Sequence, residues 1–254
     1  MPQKESKQKK VSIILPNYNS YKYISSTINS ILQQSYKNWE LIVIDDCSNK
    51  ITKKKLLKYK KNKKIKIFWL KKNKGAGYCR NYAIKKSKAK FLAFIDSDDI
   101  WEKNKLESQI CFMEKNKYNF TYTYYKTFND EENKFNKILV PNKFNFESFT
   151  RNTSIATSTM IIKKKITNNI KFTNTAICED YFYKCKALKK TKFAYCLNRY
   201  LTKYRIRNNS LQSNKIKNFY WIWKINKKYN KFNLITNLLS LFFISINSIK
   251  KYGL

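Results

Sequence analysis

Apolar runs alternate along the chain with segments whose apolar positions recur every three or four residues. Residues 11–15 form an apolar strand that Pro16 stops, and from residue 20 to 34 the side chains of Tyr23, Ile24, Ile28, Ile31 and Leu32 share one helical face. Residues 40–44 predict a second strand, 51–61 a lysine-rich surface helix, 65–70 a third strand and 91–95 a fourth. Between the last two, a helix over 76–87 is entered through Gly75 and Gly77. Strands apolar on both faces that alternate with helices predict a parallel, doubly wound α/β sheet. Ligands of such sheets bind beyond the carboxyl ends of the strands, where Asn17 to Asn19, Asp45, Asp46 and the cluster starting at Asp96 all fall.

The second half is mixed. A helix follows Trp101 as far as residue 115, the Tyr and Thr content of 120–126 suits a strand, and the polar segment 129–145 predicts a loop with a short hairpin. Residues 158–163, 193–197 and 201–206 predict strands, and 179–189 a helix. A chain of 254 residues is the size of one large α/β domain. The expected organisation is a polar tail over 1–10, a catalytic domain over 11–217 and a helical segment over 218–254. The tail lacks the apolar core of a signal peptide.

Residues 232–249 carry no charge, yet Asn233, Thr236, Asn237, Ser240, Asn247 and Ser248 interrupt them and fall within a helical arc of about 120°. Lysines flank the segment. That favours a helix lying in a membrane interface over one crossing the bilayer, which needs about 20 mostly apolar residues. Packing on the protein's own core is the alternative.

The formal net charge of +38 invites a nucleic-acid reading. Lysine far outnumbers arginine, however, glycine is scarce, and Asn, Ile, Tyr and Phe abound, the composition of a sequence whose codons drift toward A and T. Attraction to an anionic membrane surface or a nucleotide is then a by-product, and no specific nucleic-acid partner is expected. Histidine is absent and the six cysteines are scattered without a Cys-x-x-Cys pair, which argues against the usual zinc sites and removes any triad with a histidine base. Scattered thiols fit a reducing cytoplasm.

Charge becomes informative at the aspartates, of which six of seven fall into three clusters: Asp45 with Asp46; Asp96, Asp98 and Asp99; and Asp180 beside Glu179. Two carboxylates about 5 Å apart repel by roughly 3 kcal/mol at an effective dielectric of about 20, a cost kept where a cation or a reacting proton uses it. Asp96-Ser97-Asp98-Asp99, leaving a buried strand, is a hard-oxygen site suited to Mg2+ or Mn2+. Helix capping by Ser97 or one aspartate is the simpler reading, but it needs one acid and not three. Pro16-Asn17-Tyr18-Asn19 and Asp45-Asp46 offer an aromatic face and acceptors for a nucleobase, while Arg80, at a glycine-entered helix start, favours phosphate. With histidine missing, a carboxylate at Glu179-Asp180 is the candidate base; an ordinary helix N-terminus also favours acids.

Taken in order, Val11 to Asn19, Trp39 to Asp46, Gly75 to Asn81, Phe94 to Trp101 and Glu179-Asp180 resemble glycosyltransferase family 2, inverting enzymes of the GT-A fold. The likeness continues through Tyr204-Arg205, Ser210 and Ser213 to Lys215, as in bacterial enzymes that build teichuronic acid, capsule or lipopolysaccharide. It implies a metal-dependent enzyme that moves a sugar from a nucleotide-diphospho-sugar, of the UDP type, to a saccharide or lipid-linked saccharide acceptor. Tyr18, following Pro16, stacks on the base, Asp46 contacts the uracil-type ring, and Arg80 lies near the nucleotide. Asp96, Ser97 and Asp98 hold ribose and diphosphate, Asp98 and Asp99 hold the metal, and Asp180 is the catalytic base. The family usually has glycine where Cys47 stands, often arginine at Cys178, and a common tryptophan near Tyr183. Two rival readings are a basic nucleic-acid or membrane-surface binder whose aspartates cap helices, and a nucleotidyltransferase, which lacks its glycine-rich basic signature here.

Overall fold

The computed structural model describes residues 10–129, 135–207 and 215–252; Ser210 and Ser213 of the family-like stretch and most of the N-terminal tail lie outside them. The elements are β1 (Val11–Asn17), α1 (Ile24–Leu32), β2 (Trp39–Asp45), α2 (Lys50–Leu57), β3 (Ile65–Trp69), α3 (Ala76–Lys86), β4 (Phe91–Phe94), β5 (Ile100–Trp101), α4 (Lys105–Lys115), β6 (Phe120–Phe128), β7 (Phe135–Ile138), β8 (Lys143–Phe144), α5 (Phe146–Arg151), β9 (Ile161–Lys163), α6 (Glu179–Thr191), β10 (Ala194–Arg205), α7 (Lys215–Ile225) and α8 (Leu234–Tyr252). They form one mixed sheet in the order β3-β2-β1-β4-β9-β6-β10-β5, with β7 on β6 and β8 on β10.

The N-terminal half is the parallel part: β1 pairs β2 and β4, and β2 pairs β3, all in parallel. Because successive side chains alternate across a strand, each continuous apolar run supplies both faces. Ile14, Ile42, Ile44, Leu92 and Phe94 point to one core with Cys79 and Ala83 of α3 and Tyr183 and Cys185 of α6. Ile13, Leu15, Leu41, Val43, Phe91 and Ile95 point to the other, with Ile28 and Ile31 of α1, Leu56 of α2 and Ile110 and Met113 of α4. The sheet is thus covered on both sides, as its apolar strands require.

Three features depart from the expected elements. Pro16 does not end β1, which continues to Asn17 against Asp45. It sits past Ile14, the last residue paired with β4, where a missing N–H breaks less of the ladder. Residues 194–205 form one strand on β6, with register irregularities between Leu197 and Thr202 where two strands were expected. Residues 157–159 form a 3-10 turn, with a strand only from Ile161. The helix α5 is an addition to the expected elements, and α7, which opens the expected helical segment, starts at Lys215, a few residues before 218.

Candidate active site

β1, β2 and β4 deliver their carboxyl ends side by side, and a polar knot locks the first two. Asn17 Nδ2 donates to Asp45 Oδ1 at 2.7 Å and to Ser48 Oγ at 3.3 Å, while Ser48 N donates to Asp45 Oδ2 at 3.0 Å. Asp45 is fully buried, so its charge serves this turn. The turn needs a left-handed residue at Cys47, φ 63°, a conformation glycine takes without strain. Pro16 is buried in β1, and Tyr18, 53% exposed, stands beyond the knot with its ring available for stacking.

Asp46 is buried and aimed at the loop before α3: its Oδ1 accepts from Lys74 N at 2.7 Å and its Oδ2 from Gly75 N at 2.8 Å. Both carboxylate oxygens therefore set the backbone that leads into α3. Gly75 has φ +84°, and a Cβ on Gly77 would lie 2.4 Å from the carbonyl oxygen of Thr173. One glycine makes the turn and the other lets α3 approach the segment ahead of α6.

From α3, Arg80 reaches both acidic clusters. Its Nη2 lies 2.6 Å from Asp96 Oδ1 and its Nη1 2.6 Å from Glu179 Oε1. The guanidinium is buried and also stacks over Phe172, 5.4 Å from the ring centre. Burial alone would lower its pKa, but Asp96 and Glu179 overrule that and hold it above its usual value. A permanently charged fork thus ties the end of β4 to the start of α6.

Cys178 begins α6 in the left-handed region, φ 60°. Asp180, next but one, is nearly buried; its Oδ2 accepts from Lys184 Nζ at 2.7 Å and Thr157 Oγ1 at 2.8 Å, and its Oδ1 accepts from Tyr181 N at 2.8 Å. Burial pushes the Asp180 carboxyl up, but Lys184 by charge and hydrogen bond, then Arg80 and Thr157, hold it well below the usual carboxylate range. Asp180 is an ionised carboxylate with one lone pair of Oδ1 still uncommitted.

After β4, Asp99 is buried with both oxygens engaged: Oδ1 accepts from Arg205 N at 2.9 Å and Oδ2 from the Ser158 hydroxyl. Ser158 Oγ also accepts from Asp96 N at 3.0 Å, so one hydroxyl sets both ends of the motif. Ser97 and Asp98 form the turn between them, with Asp98 Oδ2 2.8 Å from Arg207 Nε and the Asp98 carbonyl accepting from Arg205 Nε at 2.9 Å. Burial pushes the Asp98 carboxyl up, with Asp96 adding to the shift and Arg207 opposing it; burial, Asp98 and Asp96 push Asp99 up further.

This donor set fits a hard divalent ion, because burial penalises the charged forms of Asp98 and Asp99 and a bound cation would offset that cost. Among the described residues no group of three acidic, Cys or His side chains is placed to hold a metal by itself. A Mg2+ or Mn2+ ion accepts one or two protein carboxylates and completes its shell with water and substrate phosphate. Asp98 is better placed than Asp99 for this, since Asp99 has both oxygens committed to the protein.

The structure therefore brings Asp46, Arg80, Asp96, Asp98 and Asp180 to one edge of the sheet, with Tyr18 beside them. Sequence reasoning missed Thr157, Ser158, Lys184 and Arg207, and it placed Arg205 in the family-like stretch without giving it a role. Lys184 could have been found as the residue one helical turn after Asp180; the others come from distant segments and have no local signature.

The model of the family described as glycosyl transferase family 2 matches residues 12–191. The chain is 33% identical over 243 residues to TuaG of Bacillus subtilis (strain 168), a glycosyltransferase named for teichuronic acid biosynthesis, covering 95% of this chain and 96% of that one. It is 36% identical over 216 residues to WfgD of Escherichia coli, named as a UDP-Glc:alpha-D-GlcNAc-diphosphoundecaprenol beta-1,3-glucosyltransferase, covering 85% and 84%. The solved structure of residues 1–349 of S. aureus TarS with UDP-GlcNAc superposes with a TM-score of 0.72 at 24% identity over 85% of this chain and 65% of that one, which establishes a shared fold. With its ordered motifs at the carboxyl ends of a mixed sheet and a family model covering most of its length, the chain belongs to glycosyl transferase family 2 and is a glycosyltransferase of the GT-A fold.

Proposed function

We propose that the protein is a metal-dependent inverting glycosyltransferase that moves a sugar from a UDP-sugar to a hydroxyl of a cell-envelope polysaccharide or lipid-linked saccharide. One observation carries this: the buried Arg80 guanidinium holds Asp96 and Glu179 at 2.6 Å each, so the donor motif and the segment bearing the Asp180 base are tied side by side. The UDP-Glc and diphosphoundecaprenol in the name of WfgD support the donor and acceptor classes.

In this reading Tyr18, beyond Pro16 and the Asn17–Asp45 knot, stacks on the base. Asp46 shapes the base pocket by fixing the Lys74–Gly75 backbone. Asp96, Ser97 and Asp98 line the ribose and diphosphate, and Arg80 balances the acids around it. Asp98, backed by Asp99, would hold Mg2+ or Mn2+, which when bound neutralises charge on the departing diphosphate. Asp180 Oδ1 takes the proton from the acceptor hydroxyl as that oxygen attacks the anomeric carbon from the face opposite the nucleoside diphosphate. The new glycosidic bond forms as the bond to the diphosphate breaks, and configuration inverts in a single displacement.

The same reading places the protein in the cytoplasm, peripheral on the inner face of the membrane where a lipid-linked acceptor is reached. The six cysteines, all unpaired, fit a reducing compartment, and no described helix is long and apolar enough to cross a membrane.

Titration calorimetry with UDP, with and without Mn2+, tests the assignment. Metal-dependent binding that Asp98→Ala reduces at least tenfold is expected; metal-independent binding, or full binding by the variant, refutes it.

A further inference from the structure

The C-terminal helix turns buried polar side chains toward the protein and exposed apolar ones away from it. In a surface helix the polar residues ordinarily meet water and the apolar ones meet the core. In α8 the middle of the polar arc is docked on the protein beside the buried Ile244: Asn237 and Ser240 are 1% and 2% exposed, while Asn233 and Thr236 at the start of the arc stay exposed. Asn226 Nδ2 donates to Asn237 Oδ1 and to Ser240 Oγ, each at 3.1 Å, and Asn237 Nδ2 donates to Trp223 O at 3.2 Å. Ser240 Oγ donates to Thr150 O at 2.6 Å, and Asn226 in turn takes a 2.7 Å bond from the Tyr181 hydroxyl. A buried polar seam thus fixes the rotation of α8 about its axis, because turning it would strand these groups without partners.

The consequence appears on the other face. Leu234, Ile235, Leu238, Phe242 and Ile249 are each more than half exposed, and Leu239 is 43% exposed. Positions 235, 238, 239, 242 and 249 recur at helical spacing, so these side chains form one continuous apolar stripe along the 19-residue helix. No charge interrupts residues 232–249, while Lys231 stands before the stripe and Lys250 and Lys251 after it. A stripe of this kind requires a cover.

We propose that the cover is an anionic lipid surface, with α8 lying flat and its Leu, Ile and Phe side chains inserted among the acyl chains. Charge decides the occupant. The chain carries a formal +38, so a second copy would bring like charge against like, whereas an anionic bilayer attracts the flanking lysines and the chain as a whole. The protein-bound polar seam excludes a helix surrounded by lipid and leaves one immersed on one side. This deepens the reading of a lipid-linked acceptor, but it stands on the helix alone, and its test measures no catalysis.

The full chain is sedimented with vesicles of phosphatidylcholine, with and without one quarter phosphatidylglycerol, alongside the variant Leu238→Gln/Phe242→Gln. A second variant, Ile235→Gln/Ile249→Gln, samples the same face at other exposed positions, and circular dichroism checks that each folds. The wild type is expected to bind the anionic vesicles, and both variants to bind at least tenfold more weakly with unchanged net charge and unchanged melting. Equal binding by the variants would mean that the lysines alone carry adsorption and would overturn the proposal. So would a wild type that ignores vesicles, or one that forms a dimer in gel filtration which the variants dissolve.

Discussion

Replacing Lys184 with methionine isolates what holds the Asp180 carboxylate ready. The ammonium is nearly buried, 2.7 Å from Asp180 Oδ2, with side-chain exposures of 4% and 17% for the two partners. At 2.7 Å and an effective dielectric of about 20, the attraction is about 6 kcal/mol, against which burial of both groups works. Breaking such a pair by removing one partner costs about 3–5 kcal/mol. That cost falls on the charged form, so the carboxyl rises when Lys184 is lost. Arg80 and the Thr157 hydroxyl still favour the charged form, but Lys184 is the larger influence.

Asp180 has a folded pKa below its unfolded value near 3.9. The stability it contributes is therefore present above that pH and is lost only as pH falls through the depressed folded value. In Lys184→Met the same carboxyl should titrate near or above the ordinary range. The acid limb of kcat/KM for transfer should move toward neutrality, with activity recovering at higher pH. Lys184→Arg should restore the limb. Asp180→Asn is the companion: nucleotide affinity by calorimetry stays, and transfer falls about 100-fold or more at every pH. If Lys184→Met melts cooperatively and its acid limb coincides with the wild type, the assignment of Asp180 as a base held ionised by Lys184 is wrong.

Three further substitutions address the scaffold. Gly77→Ala should lower stability by about 1–3 kcal/mol and weaken UDP binding as well, because its Cβ would press on Thr173 O and displace the start of α3; an unchanged melting curve refutes the close approach. Lys105 is fully buried with its Nζ 3.9 Å from the centre of the Trp101 ring and no hydrogen-bond partner, and burial pushes its pKa well down. Lys105→Met should stabilise the fold by about 1–3 kcal/mol, and the gap should narrow as pH rises toward 10.4, where the unfolded wild-type lysine also loses its proton; a lower melting temperature for the variant refutes this. Cys47→Gly should raise stability by up to about 1 kcal/mol, relief of the left-handed strain exceeding the added freedom of the unfolded chain, as thermal melting would show; a loss would mean that the Cys47 side chain contributes more than its backbone costs.

The parallel half of the sheet and the positions of its acidic motifs were legible in the sequence, because strands buried on both faces write unbroken apolar runs and their ends are marked by Asn17, Asp45 and Asp96. The departures at Cys47 and Cys178 from the residues usual in the family also acquire a structural setting, since both have positive φ. Less legible was the antiparallel half. There α5 spans only six residues, and β10 carries irregularities that hide its continuity. Contacts such as Ser158 to Asp99 or Arg205 to Asp98 join segments far apart in the chain and leave no periodic trace. The sequence placed six polar residues of 232–249 on one arc, but whether that arc turns to water or to protein depends on Asn226 and Thr150, which lie elsewhere.

The double grip on Arg80 has a mechanical consequence. A single guanidinium fork spans the distance between the motif that follows β4 and the first turn of α6, so these two walls cannot swing apart on a hinge without breaking one of its two 2.6 Å ion pairs. Any opening that admits a sugar donor must come from segments outside this strut. A change of acceptor taste is accordingly reached most readily by remodelling the surrounding loops, with the strut left as an unmoving ruler.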